Sequence, residues 1–144
     1  MTSQPDPAAG SAPAIEREIR VEASPDTVFS YFVDPAKIVR WMGTTATLEP
    51  RPGGDFRIDY NGKDIARGSY LEVDPPRRVV FSWGWEMPGD PVPPGASTVE
   101  VTLAPSGLGT IVRLRHSGLP PASIDGHVEG WDYFLPTLAG AVAA

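Results

Sequence analysis

The stretch YLEVDPPRRVVFSWGW, residues 70–85, decides how this chain folds. It reads as two alternating strands around an Asp74-Pro75-Pro76 turn. Side chains two apart share a strand face, so the second strand sets Phe81, Trp83 and Trp85 on one side. Large aromatics along one face build either a thick core or the wall of a ligand cavity.

Upstream, Ile15, Ile19, Val21 and Ala23 alternate with Glu16, Glu18, Arg20 and Glu22, the pattern of a strand wet on one side. Ser24-Pro25-Asp26 then reads as the N-cap, first position and acidic second position of a helix with Val28, Phe29 and Phe32 buried. Asp34-Pro35 starts a second short helix carrying Ile38, Val39, Trp41 and Met42, and Gly43 stops it. Strands follow at 45–49, 55–60 and 64–74. Asn61-Gly62 forms the hairpin between the last two, with positive φ at both positions. The strand at 77–85 gives way to EMPGDPVPPGA (86–96), whose four prolines and two glycines make a long loop. Strands 97–104 and 110–117 pair as another hairpin, with Val99, Val101, Leu103 and Val112, Leu114, His116 on their apolar faces.

The last element is a helix over 123–143, capped by Ser123. Val128, Trp131, Leu135, Leu138 and Val142 recur at helical steps, and Pro136 predicts a kink after Asp132. Hairpin-linked strands make an antiparallel sheet, and one amphipathic helix can cover one of its faces. Residues 1–14, MTSQPDPAAGSAPA, have no apolar periodicity and read as a disordered tail before a single domain at 15–144.

The chain has 144 residues, enough for one domain with a real core. Its net charge of -6, from 18 acidic and 12 basic residues, argues against a nucleic-acid partner. No cysteine is present, which excludes disulfides, thiolate metal sites and cysteine nucleophiles. No apolar run is long enough for a membrane span, and no secretory signal is visible, so the expected location is the cytoplasm. The G-x-S-x-G, P-loop and G-x-G-x-x-G motifs are missing from the sequence, and no cofactor is expected.

Five segments carry a family resemblance. They are VEASPDTVFSYFVDPAKIVRWMG (21–43), PGGDFRI (52–58), GSYLEVDPPRRVVFSW (68–83), STVEVTLAPSGLGTIVRLRHSGL (97–119) and HVEGWDYFLPTL (127–138). In this order they resemble the SRPBCC (START-like, helix-grip) superfamily, in the branch of the C-terminal domain of the activator of heat-shock-protein-90 ATPase. The resemblance implies an α+β fold of order β-α-α-β6-α, a curved antiparallel sheet wrapped around a long C-terminal helix, with a cavity between them. It implies no single activity, because the superfamily holds lipid carriers, hormone receptors, cyclases, hydroxylase domains and co-chaperones.

On that frame the expected cavity wall is Trp41, Phe56, Ile58, Tyr60, Arg67, Ser69, Phe81, Trp83, Trp85, Val101, Leu114, His116, Trp131 and Leu135. Aromatic walls with a few polar tips suit a small hydrophobic ligand, and plain core packing is the other reading of the same residues. Trp41 and Met42 form either the cavity mouth or core. Arg67 and Ser69 share parity with Ile65, Leu71 and Val73. An inward Arg67 needs an anion, from a ligand or from the protein, unless a bulge turns it out. His116 is either a hydrogen-bonded core histidine or an acid–base group. His127 and Glu129, two apart on a helix, make a poor metal pair, and no metal site is expected. The 86–96 loop is either a gate to the cavity or a plain connection.

Three functions remain open at this level. The first is a carrier or sensor of a small hydrophobic molecule. The second is a protein-interaction module of co-chaperone type. The third is a cyclase- or hydrolase-type enzyme using His116 and Arg67. A monomer and a homodimer fit the sequence equally.

Overall fold

In the computed structural model, which describes residues 14–143, the chain runs β1 (Ala14–Val21), α1 (Pro25–Val33), α2 (Pro35–Ile38), β2 (Thr45–Leu48), β3 (Asp55–Asp59), β4 (Ile65–Asp74), β5 (Arg78–Trp83), β6 (Ser97–Ser106), β7 (Gly109–Ser117) and α3 (Pro121–Ala143). The tail expected at 1–14 lies outside the described residues, except that Ala14 opens β1. The strands form one antiparallel sheet in the order β1-β7-β6-β5-β4-β3-β2. Strands β2 to β7 follow one another as a meander, and β1 closes against β7 after the α1–α2 excursion. This is the α+β helix-grip architecture that the sequence implied.

Local chemistry sets the helix starts. Ser24 has extended backbone and accepts from the Thr27 amide at 3.4 Å, and Asp34 accepts from the Ala36 amide at 2.9 Å. Each satisfies a donor that the first helical turn leaves free. Helix α3 begins at Pro121, two residues before the expected Ser123 cap, because proline needs no amide partner at a helix start. Pro136 does not divide it.

Two local expectations are corrected. The β3–β4 turn keeps only Gly62 at positive φ. The Asp59 carboxylate accepts the Asn61 and Gly62 amides, and the Asn61 side-chain carbonyl accepts those of Lys63 and Asp64, so Asn61 stays in ordinary backbone space. In β4 the inward residues are Ala66 and Tyr70, not Arg67 and Ser69. Register slips between Tyr70 and Glu72, leaving Leu71 as an extra residue. A bulge reverses the parity of everything beyond it. Reading Leu71 and Val73 as continuous with Arg67 therefore assigns Arg67 to the wrong face.

The concave face carries the core: Phe56 and Ile58 from β3, Val79 and Phe81 from β5, Val99 and Val101 from β6, Val112 and Leu114 from β7. Phe56 and Phe81 stack with centroids 4.0 Å apart. Leu135 and Leu138 of α3 seal this region, and Asp132 ties the helix to β1 by accepting from Arg17 at 2.7 Å. On the outer face Glu16, Arg115, Glu100, Arg78 and Glu72 form a string of ion pairs across β1, β7, β6, β5 and β4. In this string Arg115 and Arg78 each lie between two acidic neighbours.

Gly43 ends the α2 turn at φ +83°, and an added Cβ would overlap the Ile58 side chain. Gly43→Ala is expected to cost about 2 kcal/mol or more, from left-handed strain plus the overlap. Urea unfolding measures it, and an unchanged midpoint would contradict this account.

Candidate functional site

The core is not continuous under the whole of α3. Beneath its N-terminal half lies a cavity of about 360 Å³. The sheet side is Trp83 at the end of β5, Trp85 just beyond it, and Tyr60 at the end of β3. Met42, from the turn after α2, closes one side. The helix side is Ala122, Ser123, Gly126, His127, Gly130, Trp131 and Phe134. Asp90 and Pro91 of the 84–96 loop complete it. That loop is pinned by the buried Val92, whose carbonyl accepts the Trp85 amide at 2.8 Å.

The helix lining has a physical signature. Gly126 and Gly130 are one turn apart, and a Cβ added to either would meet no atom within 4 Å. Gly130 is half-buried and Gly126 exposed, so the missing side chains leave the rim of the cavity on the helix side open. Each glycine lowers helix stability by about 1 kcal/mol relative to alanine.

Buried polar groups behind the cavity are almost fully paired. The Trp131 indole N–H donates to His116 Nδ1 at 3.0 Å, and Ser97 Oγ lies 2.8 Å from His116 Nε2 and 2.8 Å from the Trp83 carbonyl. An indole N–H can only donate, so His116 Nδ1 carries no proton. Its proton is on Nε2 and points at Ser97 Oγ, whose own proton goes to the Trp83 carbonyl. The pair resembles a serine–histidine dyad in distance only. Its direction is reversed, and the imidazole cannot accept the serine proton. Burial, with the nearby His127 as the smaller cause, pushes the His116 pKa down to about 3. By the same logic His127 accepts from the Trp85 indole at Nε2 (3.1 Å) and donates from Nδ1 to the Ser123 carbonyl (2.8 Å). The two imidazoles stand perpendicular with centroids 5.2 Å apart.

One donor is left over. The Trp83 indole nitrogen is buried without a hydrogen-bond partner among the described residues. A buried unmet donor costs about 1–3 kcal/mol.

Of the residues expected on the wall, Tyr60, Trp83, Trp85 and Trp131 line this cavity. Phe56, Ile58, Phe81, Val101, Leu114 and Leu135 do not; they interdigitate in the core beside it. His116 lies behind the wall and is fully buried. Trp41 is core too: its indole donates to the Tyr31 carbonyl at 3.0 Å and its ring meets the Phe32 edge. Arg67 and Ser69 point to the opposite face. Arg67 meets an anion, but it is Glu86 of the loop, shared with Arg57 at 2.7 Å. Arg57 and then Arg67 hold the Glu86 carboxyl below its usual range. Sequence reasoning missed Gly126, Gly130 and Phe134 as wall residues. The signal was present: glycines four apart inside an amphipathic helix, on the side of Trp131 and Phe134.

Residues 22–143 match the family model described as Activator of Hsp90 ATPase homolog 1-like protein. The chain belongs to this family. The match spans every residue that lines the cavity. Among solved structures the chain is similar to the AHSA1-like protein RHE_CH02687 (1-152) from Rhizobium etli, at 46% identity, with 91% of this chain and 82% of that one covered and a TM-score of 0.71. It is also similar to CalU16 from Micromonospora echinospora, at 31% identity over 90% of this chain and 75% of that one, TM-score 0.73. Protein MLL2253 from Mesorhizobium loti shares the fold at 22% identity, with 91% and 97% covered and a TM-score of 0.81. No curated protein matches. Among the described residues of this AHSA1-like domain, no helix is long and apolar enough to cross a membrane.

The buried His116 gives the domain a defined acid response. The unfolded chain takes up its proton near pH 6.5, while the folded chain resists until about pH 3. Stability is therefore complete above pH 6.5 and falls as pH drops towards 3, by at most about 1.4 kcal/mol per pH unit for this group. Unfolding of His116→Gln across that window is expected to lack this part of the slope. Parallel slopes for the two proteins would refute it.

Proposed function

We propose that this AHSA1-like domain binds a small apolar molecule between α3 and the end of the sheet. The observation that carries the reading is the pairing of an aromatic wall with glycines. Trp83, Trp85, Trp131, Tyr60 and Phe134 face a space bordered by Gly126 and Gly130, where a helix would be more stable with alanine. A packed scaffold gains nothing from that gap, whereas a binding site requires it. The volume of about 360 Å³ lies within the range of small-ligand sites, roughly 300–1,000 Å³.

The enzymatic alternative loses both of its nominated groups. His116 has its two nitrogens committed, and Arg67 is on the other face of the sheet. A protein partner of co-chaperone type is supported by family membership and by no particular surface. The exposed large apolar side chains Leu71, Met87, Leu108 and Tyr133 sit on separate elements.

Stability and binding should move in opposite directions when the gap is filled. Gly126→Ala and Gly130→Ala are each expected to stabilise the free protein by up to about 1 kcal/mol. Gly130→Leu is expected to weaken the neutral fluorophore N-phenyl-1-naphthylamine at least tenfold while the domain still unfolds cooperatively. Thermal denaturation and fluorescence titration read the two effects. Absence of saturable binding to the unmodified protein, or equal binding by Gly130→Leu, would overturn the reading.

A further inference from the structure

The chain has two histidines, and the fold treats them differently. His116 is fully buried behind the cavity wall, whereas His127 is half-buried and lines the cavity. A proton can therefore reach His127 without opening the core. The partners of His127 allow it one neutral tautomer. The Ser123 carbonyl can only accept, so the proton sits on Nδ1, 2.8 Å away. The Trp85 indole can only donate, so it requires a bare Nε2, at 3.1 Å. An imidazolium carries a proton on both nitrogens and can accept nothing. Protonation would set two N–H groups against each other along the Trp85–His127 line and end that hydrogen bond.

Among the described residues the Trp85 indole nitrogen has no other partner. The ring is half-buried and otherwise leans on Trp83 and Tyr60, with centroids 5.5 and 5.8 Å away. Its amide stays tied to the Val92 carbonyl, so losing the bond frees the ring and not the chain. The ionisable groups around His127 come from three other segments. His116 on β7 stands perpendicular to it at 5.2 Å and stays neutral, its pKa pushed down to about 3 by burial first and by His127 second. Tyr60, just after β3, packs on Trp85, and burial keeps its hydroxyl neutral. Asp90 of the 84–96 loop is the one carboxylate lining the cavity, and no lysine or arginine lines it. On α3 itself, Asp125 and Glu129 flank His127 in sequence and are exposed. The carboxylates favour a cation at this place, and the Trp85 bond opposes one.

We propose that His127 is a proton-controlled latch on the cavity wall: neutral, it holds the Trp85 ring in place, and protonated, it lets the ring go. The latch leaves the frame intact. The relay from Trp131 through His116 to Ser97 uses the other histidine, which stays neutral far below the range in which histidines ordinarily change charge. A change from neutral to mildly acid conditions thus acts on Trp85 and not on Trp131. Release of Trp85 alters the shape of the cavity at the root of the 84–96 loop. The latch itself stands on the hydrogen bonds, and its effect on occupancy rests on the binding reading above.

The test follows two indole N–H resonances of the full chain by NMR from about pH 8 to about pH 5, the range in which histidine changes charge. The Trp85 resonance is expected to move upfield in one step, together with the His127 ring protons, while the Trp131 resonance stays in place. In His127→Phe the Trp85 resonance should no longer move with pH. N-phenyl-1-naphthylamine should bind the unmodified protein about fivefold more weakly at the lower pH, the effect of one lost hydrogen bond. It should bind His127→Phe equally at both. A Trp85 resonance that stays fixed while His127 titrates, or a His127 that does not titrate in this range, would overturn the latch. Both are read on the unmodified protein, even if His127→Phe fails to fold. A Trp131 resonance moving in step would overturn the separation of latch from frame. Equal affinity of the unmodified protein at the two pH values would overturn the effect on occupancy. No binding at either pH would overturn the binding reading, while the two resonances still decide the latch.

Discussion

One buried relay holds this architecture together. It runs from the Trp131 indole on α3, through His116 on β7 and Ser97 on β6, to the main-chain carbonyl of Trp83 at the end of β5. Three hydrogen bonds join a helix to three strands in one direction of donation. Because an indole can only donate, the relay has one consistent protonation pattern, with a neutral imidazole at its centre. It fixes how far the first half of α3 stands from the sheet. The gap is then set by which side chains project into it, and at positions 126 and 130 none do.

The helix is divided along its length by this arrangement. Leu135 and Leu138 press into a filled aromatic and aliphatic core, while the turns before Trp131 pack Ile124 and Val128 against the core and border the cavity along one side. The Arg17–Asp132 bridge sits at the division and ties α3 to β1. The loop after β5 is fastened in two ways. Val92 is buried under it, and Glu86 grips Arg57 and Arg67 on the outer face. Asp90 and Pro91 thus stand beside the cavity on a segment with fixed ends. Fastening at both ends is what makes a loop part of a wall and not only a connection.

The polar chemistry near the cavity supports the proposed binding role. A histidine with both nitrogens engaged and a pKa pushed down to about 3 supplies rigidity, not a base at neutral pH. The serine beside it is committed to a main-chain carbonyl. The family to which the chain belongs does not choose between these roles, since one fold serves many functions and the site decides.

Most of the fold was legible in the sequence. Strand alternation, the Ser24 and Asp34 caps and the apolar steps of the last helix are local physics, and they specify the order β-α-α-β6-α without tertiary information. The errors were also physical. Arg67 and Ser69 were assigned to the wrong face because a bulge at Leu71 leaves no mark in a pattern read two residues at a time. Asn61 kept ordinary backbone geometry because the Asp59 and Asn61 side chains took the turn amides, which the dipeptide Asn-Gly does not reveal. Four aromatic residues of the site, Tyr60, Trp83, Trp85 and Trp131, were named from the sequence, but Phe134 was not, nor was the division into wall and core. Phe56 and Phe81 satisfy each other by stacking, whereas Trp83 and Trp131 meet at the edge of the cavity that Gly126 and Gly130 also border. The sequence by itself determined which residues are apolar and in which element they lie. Only the tertiary structure decided which of them face one another, which indole was left without an acceptor, and where the space remained, because those depend on distances between segments far apart in the chain.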